Sequence, residues 1–353
     1  MKFSFIHKTF LITVALILFV SMNHCSVSDD QYMDRLFAEY NGENVPGAAV
    51  MIVKDGEIIK TKTYGMADLE KKIPISPKSN FRLASVSKQF TAMSIMILKE
   101  RGKLYYDQTL TDIFPEFPDY GKNITIEFLL QHRSGMIDYE DLIPDTATIQ
   151  VLDRDVLRMM MGIDSTYFAP GAKFRYSNSG YAVLAMIVEK LSGKRYATFL
   201  HDEIFQPLGM ENSVAYENGI STIQNRAFGY FVEFDSVVFS DQSITSAVLG
   251  DGGIYTSLND LFKWDQALYI DKLVSRKSLQ KAFTPMLENY GFGWRIDDYK
   301  GHRRVHHTGS TCGFRNVIQR YPEDQFTVII LTNRREPDVA VLADKLTDRF
   351  LIK

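Results

Sequence analysis

Two strand-like stretches open the patterned part of the chain, 48–53 and 57–61, joined across Asp55-Gly56, a dipeptide that favours a tight hairpin. Over 87–100 the apolar spacing turns helical, with Phe90, Met93, Met96 and Ile97 on one side and Gly102 as a stop. From 104 to 250 helical periodicity is interrupted by Pro115, Pro118, Pro144, Pro170-Gly171 and Pro207, the punctuation of several packed helices and loops. Within that block 230–239 alternates and predicts a small hairpin. Strand patterns return at 293–296, 304–307, 314–321 and 326–331, and a last helix is predicted over 337–351, where Val339, Leu342, Leu346 and Phe350 are spaced to cover a sheet.

These patterns predict an α+β fold in which the first and last segments share one antiparallel sheet flanked by helices. The expected organisation is an α/β lobe from 30–110 and 250–353, with a mainly α lobe, 111–249, inserted between them. A chain of 353 residues, 45% hydrophobic and 24% charged, has the length and apolar content to bury such a core. The formal net charge of -3 and the scattered Lys and Arg residues supply no basic field, so nucleic acid is not an expected partner.

Residues 1–25 read as a targeting leader. Lys2 and Lys8 flank a cationic start, and the apolar run 10–22 is shorter than the roughly 20 residues of an ordinary membrane span. Export to the periplasm or the exterior is the expectation. Cys25 stands where a lipoprotein would carry its lipid, although Met22-Asn23-His24 lacks the usual small residues, so lipidation, plain cleavage and an uncleaved membrane anchor all stay open. Cys312 is the only other cysteine, and with Cys25 removed or lipidated it has no disulfide partner within the chain.

Three short patterns then carry the chemistry. Ser85-Val86-Ser87-Lys88 puts a hydroxyl at a helix entrance and an amine one turn on, on the same face. A lysine that is to take the serine proton must be partly neutral, which burial beside a helix N-terminus favours, and free N–H groups there, Ser85's own among them, can hold an oxyanion. Tyr176-Ser177-Asn178 follows the Pro170-Gly171 turn and precedes an apolar helix, 181–191; a phenol can shuttle a proton, and an Asn amide can orient a substrate carbonyl and steady Lys88. His307-Thr308-Gly309 is read as ending a strand, with Gly309 leaving room for a substrate backbone and the Ser310 amide as a second oxyanion donor.

Each pattern has a bland counterpart. Ser278-Leu279-Gln280-Lys281 and Tyr216-Glu217-Asn218 repeat the first two spacings; alone, a Tyr and Asn fit a satisfied core phenol and a helix cap, and His-Thr-Gly fits a tight turn. A metal reading of His302, His306 and His307 fails on geometry, because His306 and His307 point to opposite strand faces and no E-x-x-H or Cys pair accompanies them. No cofactor signature is present, and Cys312 reads as packing.

With Leu129-Leu130-Gln131-His132-Arg133-Ser134-Gly135-Met136, Tyr181-Ala182-Val183-Leu184, Leu208-Gly209-Met210 and Gly250-Asp251-Gly252-Gly253-Ile254-Tyr255-Thr256-Ser257, the motifs resemble the serine β-lactamase and penicillin-binding-protein superfamily over residues 32–351. The likeness is to its class C-like branch, which also holds D-Ala-D-Ala carboxypeptidases, D-amino-acid peptidases and carboxylesterases. The resemblance implies a two-lobed fold with its site in the cleft, Ser85 as the acylated nucleophile, Lys88 and Tyr176 as the proton-transfer pair, Asn178 as substrate orienter, and the Ser85 and Ser310 amides as oxyanion hole. Penicillin-hydrolysing members usually begin the third motif with lysine; here it is His307, mostly neutral at pH 7 with an ordinary pKa of about 6.5. The expected activity is therefore a D-Ala-type peptidase or an esterase on small-molecule or peptide substrates rather than an efficient β-lactamase. The alternative is a non-catalytic or slowly acylated binding module.

Overall fold

In the computed structural model, residues 27–234 and 236–352 are described; the leader predicted over 1–25 lies outside them. Six strands form one antiparallel sheet: β1 Ala48–Lys54, β2 Glu57–Tyr64, β3 Arg295–Tyr299, β4 His302–Thr311, β5 Phe314–Tyr321 and β6 Phe326–Thr332. Their spatial order is β3-β4-β5-β6-β1-β2, so the first and last parts of the chain meet at β6 and β1, with Ala48 opposite Thr332 and Lys54 opposite Phe326.

β1 and β6 read as unbroken apolar runs because both faces are covered. Ala48, Val50 and Ile52 join Val328 and Ile330 beneath Val339, Leu342 and Leu346 of the closing helix (Val339–Thr347), together with Met33 of a helix at Asp29–Leu36. Ala49, Met51 and Val53 face the other way, into the larger core that holds Phe90, Trp264, Ile329 and Leu331. That larger core continues without a break into the middle block, taking in Leu129, Val156 and Tyr181 to Ile187, so the helices 104–250 and the sheet share one hydrophobic interior.

Three elements depart from the sequence pattern. The helix at Asp29–Leu36 was not anticipated; Ser28 begins it with a capping box to Gln31. Helix α1, Lys88–Glu100, is not one-sided: every residue from Lys88 to Leu98 is buried, so it is a central rod rather than a surface helix. β4 does not end at His307 but runs on to Thr311, and the tight turn falls at Cys312-Gly313. The small hairpin is present as Tyr230–Glu233 paired with Ser236–Phe239.

Candidate active site

Ser85 owes its position to two crossings of the backbone. Phe81–Arg82 pairs with Ile254–Thr256, and the Leu83 N–H donates to the Ile254 carbonyl at 2.8 Å, which anchors the lead-in. Ala84 then takes a left-handed conformation (φ +51°), costly for a residue with a Cβ, and swings the chain into the short turn Ala84–Ser87 and helix α1. β4 runs directly beneath that turn. A Cβ placed on Gly309 would lie 2.0 Å from the Leu83 carbonyl oxygen, so the glycine is there for the passage of the protein's own chain, not for the approach of a substrate as its motif suggested.

Lys88 is wholly buried, and its Nζ donates to Ser85 Oγ at 3.1 Å, Asn178 Oδ1 at 2.8 Å and the Asp251 carbonyl at 2.9 Å. All three donor directions are used. The Asp251 carbonyl comes from a single turn, Leu249–Gly252, whose free N–H groups at Leu249 and Gly250 are taken by the Asp153 carboxylate at 2.8 and 2.9 Å. Burial pushes the Asp153 carboxyl up to about 7 and that of Asp251 up to about 6, the latter opposed by Lys88 and by the Tyr139 hydroxyl, which donates to it at 3.0 Å.

Asn178 opens helix α2, Asn178–Ser192, and Ser177 caps it by accepting from the Gly180 N–H. The Ser177 N–H donates to His132 Nδ1 at 3.0 Å, which ties the 129–136 segment to this motif and makes His132 a neutral acceptor, its pKa driven well down by burial and by Lys88. The Tyr176 ring lies 4.9 Å from Lys88 Nζ, while its buried hydroxyl has no hydrogen-bond partner among the described residues.

His307, expected from its motif to be a substrate-binding residue, is not among the residues that line the cavity. It is 2% exposed on the inner face of β4; Nδ1–H donates to the Thr308 carbonyl at 2.6 Å, which leaves Nε2 to accept from the Tyr290 hydroxyl at 3.0 Å. Burial, with Lys88 adding to it, pushes its pKa down to about 3. It therefore packs with Tyr176 and Tyr290, the latter in turn against His132, behind the site and offers a substrate neither charge nor a free donor. Thr308 and Ser310 point to the opposite, exposed face of the strand.

A polar cavity of about 170 Å³ opens at these residues, lined among others by Ser85, Asn178 and Ser310 together with Arg82, Tyr139 and Glu140. First, second and third motifs thus converge on one cleft, although His307 and Gly309 stand behind its wall. Sequence reasoning missed Tyr139, Glu140 and Asp251 as cavity residues, though Asp251 lies within the 250–257 landmark and Tyr139 and Glu140 follow shortly after the 129–136 one. The rival copies are spoken for elsewhere: Ser278 Oγ donates to Glu100 Oε1 at 2.5 Å, Lys281 pairs with Glu127 at 2.7 Å, and the Tyr216 hydroxyl bonds Asn218 at 3.3 Å. His302 and His306 are held apart by separate carboxylates, Asp324 and Asp297, and no group of three or more metal-ligating side chains gathers among the described residues. Cys312 is half-buried in the turn between β4 and β5.

Penicillin-binding protein 4* of Bacillus subtilis is 35% identical over 329 residues, a match covering 87% of this chain and 72% of that protein. The octameric penicillin-binding protein homologue from Pyrococcus abyssi superposes with a TM-score of 0.80 at 26% identity, covering 92% of this chain and 77% of that one. The D-amino acid amidase of Ochrobactrum anthropi SV3 shares the fold, with a TM-score of 0.74 at 24% identity over 88% of this chain and 92% of that one. The family model described as Beta-lactamase matches residues 33–350, and by that match the chain belongs to the Beta-lactamase family of serine hydrolases.

Proposed function

We propose that this chain is an exported hydrolase that forms an acyl-enzyme on Ser85 and cleaves small amides or esters, D-Ala-type peptides and short-chain esters first among them. The observation that carries the proposal is the 3.1 Å contact between Ser85 Oγ and a fully buried Lys88 amine. With the amine neutral, two N–H groups can stay on Asn178 Oδ1 and the Asp251 carbonyl while the nitrogen lone pair turns to the serine and accepts its proton. Ser85 Oγ then attacks the substrate carbonyl carbon, the amides of Ser85 and Ser310 hold the oxyanion, and the amine or alcohol leaves with a proton from the Lys88–Tyr176 pair. Water releases the acid by the reverse path. Asn178 steadies both the lysine and the substrate carbonyl.

The buried, neutral His307 supplies no cation for the carboxylate of a β-lactam or of a terminal D-alanine, which supports esters and amides lacking that carboxylate over β-lactam hydrolysis. Small-molecule or peptide substrates are the proposed partners, with no nucleic acid. Export rests on the leader pattern of residues 1–25, through which the chain is also proposed to reach or hold the membrane; none of the described helices is long and apolar enough to cross one.

Incubation with a fluorophosphonate and with a labelled penicillin, read by mass spectrometry, is expected to place an adduct on Ser85, and product release then establishes turnover. An adduct that persists without release favours a sensor, a reading supported by the unpartnered Tyr176 hydroxyl. Absence of any adduct overturns the proposal. In a panel of a chromogenic cephalosporin, p-nitrophenyl butyrate and a D-Ala-D-Ala peptide, the cephalosporin is expected to turn over weakly or not at all, and rates typical of an efficient β-lactamase would refute the reading of His307.

A further inference from the structure

A second cavity, of about 300 Å³, backs onto the turn Leu249–Gly252 and shares no lining residue with the Ser85 cleft. Its apolar surface comes from Leu152, Met186, Leu249 and Ile220. Three lining residues tie it to the surroundings of Lys88. Leu249 is the first residue of the turn, and Asp153 takes the Leu249 and Gly250 N–H groups at 2.8 and 2.9 Å. The Tyr196 hydroxyl donates to Thr91 Oγ1 of α1 at 2.6 Å, and Thr91 in turn donates to the Gly250 carbonyl at 2.6 Å. The same turn presents the Asp251 carbonyl to Lys88 Nζ at 2.9 Å. One wall of the second cavity is thus the back of the turn whose front grips the lysine.

The charges of this lining are unevenly committed. Glu217 pairs with Arg195 at 3.0 Å, and both Asp153 oxygens are taken by the turn. Glu189, half-buried on α2, accepts the Tyr196 N–H on Oε1 at 2.7 Å, while Oε2 has no hydrogen-bond or ion-pair partner among the described residues. Arg154, the one cation in the lining, is exposed, and water and salt screen it. A carboxylate oxygen left open beside apolar surface suits an ammonium that carries an apolar body. The charge meets Glu189, and the body covers Met186 and Leu249. An anion in the same place would face three acids, Asp153, Glu189 and Glu217, against that one screened cation.

We propose that this cavity is a second ligand site, for small primary amines with an apolar body, and that its occupancy firms the turn Leu249–Gly252 and with it the grip on Lys88. Binding there goes beyond the acyl-enzyme reading, since it needs no reaction at Ser85. The coupling has a physical path. A ligand seated against Leu249 and Asp153 removes water from the two N–H to carboxylate bonds that cap the turn, which strengthens them and makes opening of the turn less favourable.

The experiment titrates 2-phenylethylamine and its uncharged match, 2-phenylethanol, into the wild type and into Ser85→Ala by calorimetry, with amide hydrogen exchange reading the turn. The amine is expected to bind with a Kd of about 0.1–1 mM, in the range of a ligand of its size. The alcohol should bind roughly tenfold more weakly, the difference a charge-assisted hydrogen bond makes. Glu189→Gln, whose amide oxygen can still accept the Tyr196 N–H, is expected to erase that difference and leave the alcohol unchanged. Ile220→Ala, at a position 65% exposed, should weaken both probes alike by roughly two- to fivefold. At an amine concentration ten times Kd, exchange at the Leu249 and Gly250 amides should slow by up to about tenfold, the factor 1 + [L]/Kd for a ligand that binds only the closed turn. Ser85→Ala should show the same slowing, so the result stands whether or not Ser85 is acylated. Equal binding of amine and alcohol, or an amine preference that survives Glu189→Gln, overturns the ligand assignment. Amine binding with exchange at Leu249 and Gly250 unchanged overturns the coupling. Absence of Ser85 labelling in the wild type sinks the hydrolase reading and leaves this one standing.

Discussion

Ser85–Lys88 and Ser278–Lys281 have the same spacing and both lie at helix entrances, the second on α3, Arg276–Ala282. Around the first, the partners a serine and lysine would otherwise find are missing or are neutral carbonyl oxygens, and the buried lysine meets the serine at 3.1 Å on the cavity wall. Around the second, Glu100 takes the hydroxyl and Glu127 the amine, and the Lys281 side chain is 43% exposed. A carboxylate beside each group makes a stable pair of contacts and no nucleophile. The difference teaches that the spacing supplies reach, while the withholding of carboxylates leaves the first pair free for the chemistry proposed for it.

The sharpest way to break this comparison is to exchange the serines for alanine. Ser85→Ala is expected to abolish fluorophosphonate labelling and lower turnover at least about a thousandfold, with thermal unfolding little changed. Next in size is Asn178→Ala, which removes one of the two groups that hold the lysine at the serine; a ten- to hundredfold loss in kcat/KM is expected, roughly the worth of a charge-assisted hydrogen bond. Gly309→Ala forces a methyl group against the Leu83 carbonyl, and, because backbone must move, about 1–3 kcal/mol of stability should be lost in denaturant titrations along with a slower labelling rate.

A smaller effect is expected from pH. His307 titrates near 3 in the folded chain and about 6.5 when unfolded, so between those values the unfolded state binds the extra proton and the folded state loses stability as pH falls below 6.5. Asp153 and Asp251, raised to about 7 and about 6, act in the other direction, binding protons in the folded state and losing stability as pH climbs from 4 toward 7. The difference between wild type and His307→Gln isolates the histidine, and its slope below pH 6 is expected to approach about 1.4 kcal/mol per unit. Smallest of all, Ser278→Ala should leave turnover within about twofold and cost about 1 kcal/mol through the lost bond to Glu100. A large catalytic loss in that variant would erase the contrast between the copies.

Strands were legible where burial is two-sided and uninterrupted, as in β1 and β6, or where a turn dipeptide marks the hairpin, as at Asp55-Gly56. The helix at Asp29–Leu36 was not, because it buries little beyond Met33 and its polar residues look like linker. Phe81–Arg82 and Ile254–Thr256 are too short to show a period, yet they aim Ser85. Glu140 was hidden among Asp138, Glu140 and Asp141, three acids whose partners lie up to 38 positions away.

The chain's order of residues determined, without help from the fold, which segments become the central sheet and helices, and which serine, lysine and asparagine stand at spacings able to act, since periodicity and one-turn reach are local properties. Only the assembled tertiary structure decided that Lys88 meets Ser85 without a carboxylate, that His307 is walled in and neutral, and that Glu140 lines the cleft. Burial and pairing are sums over neighbours from distant parts of the chain, and no stretch of sequence carries them alone.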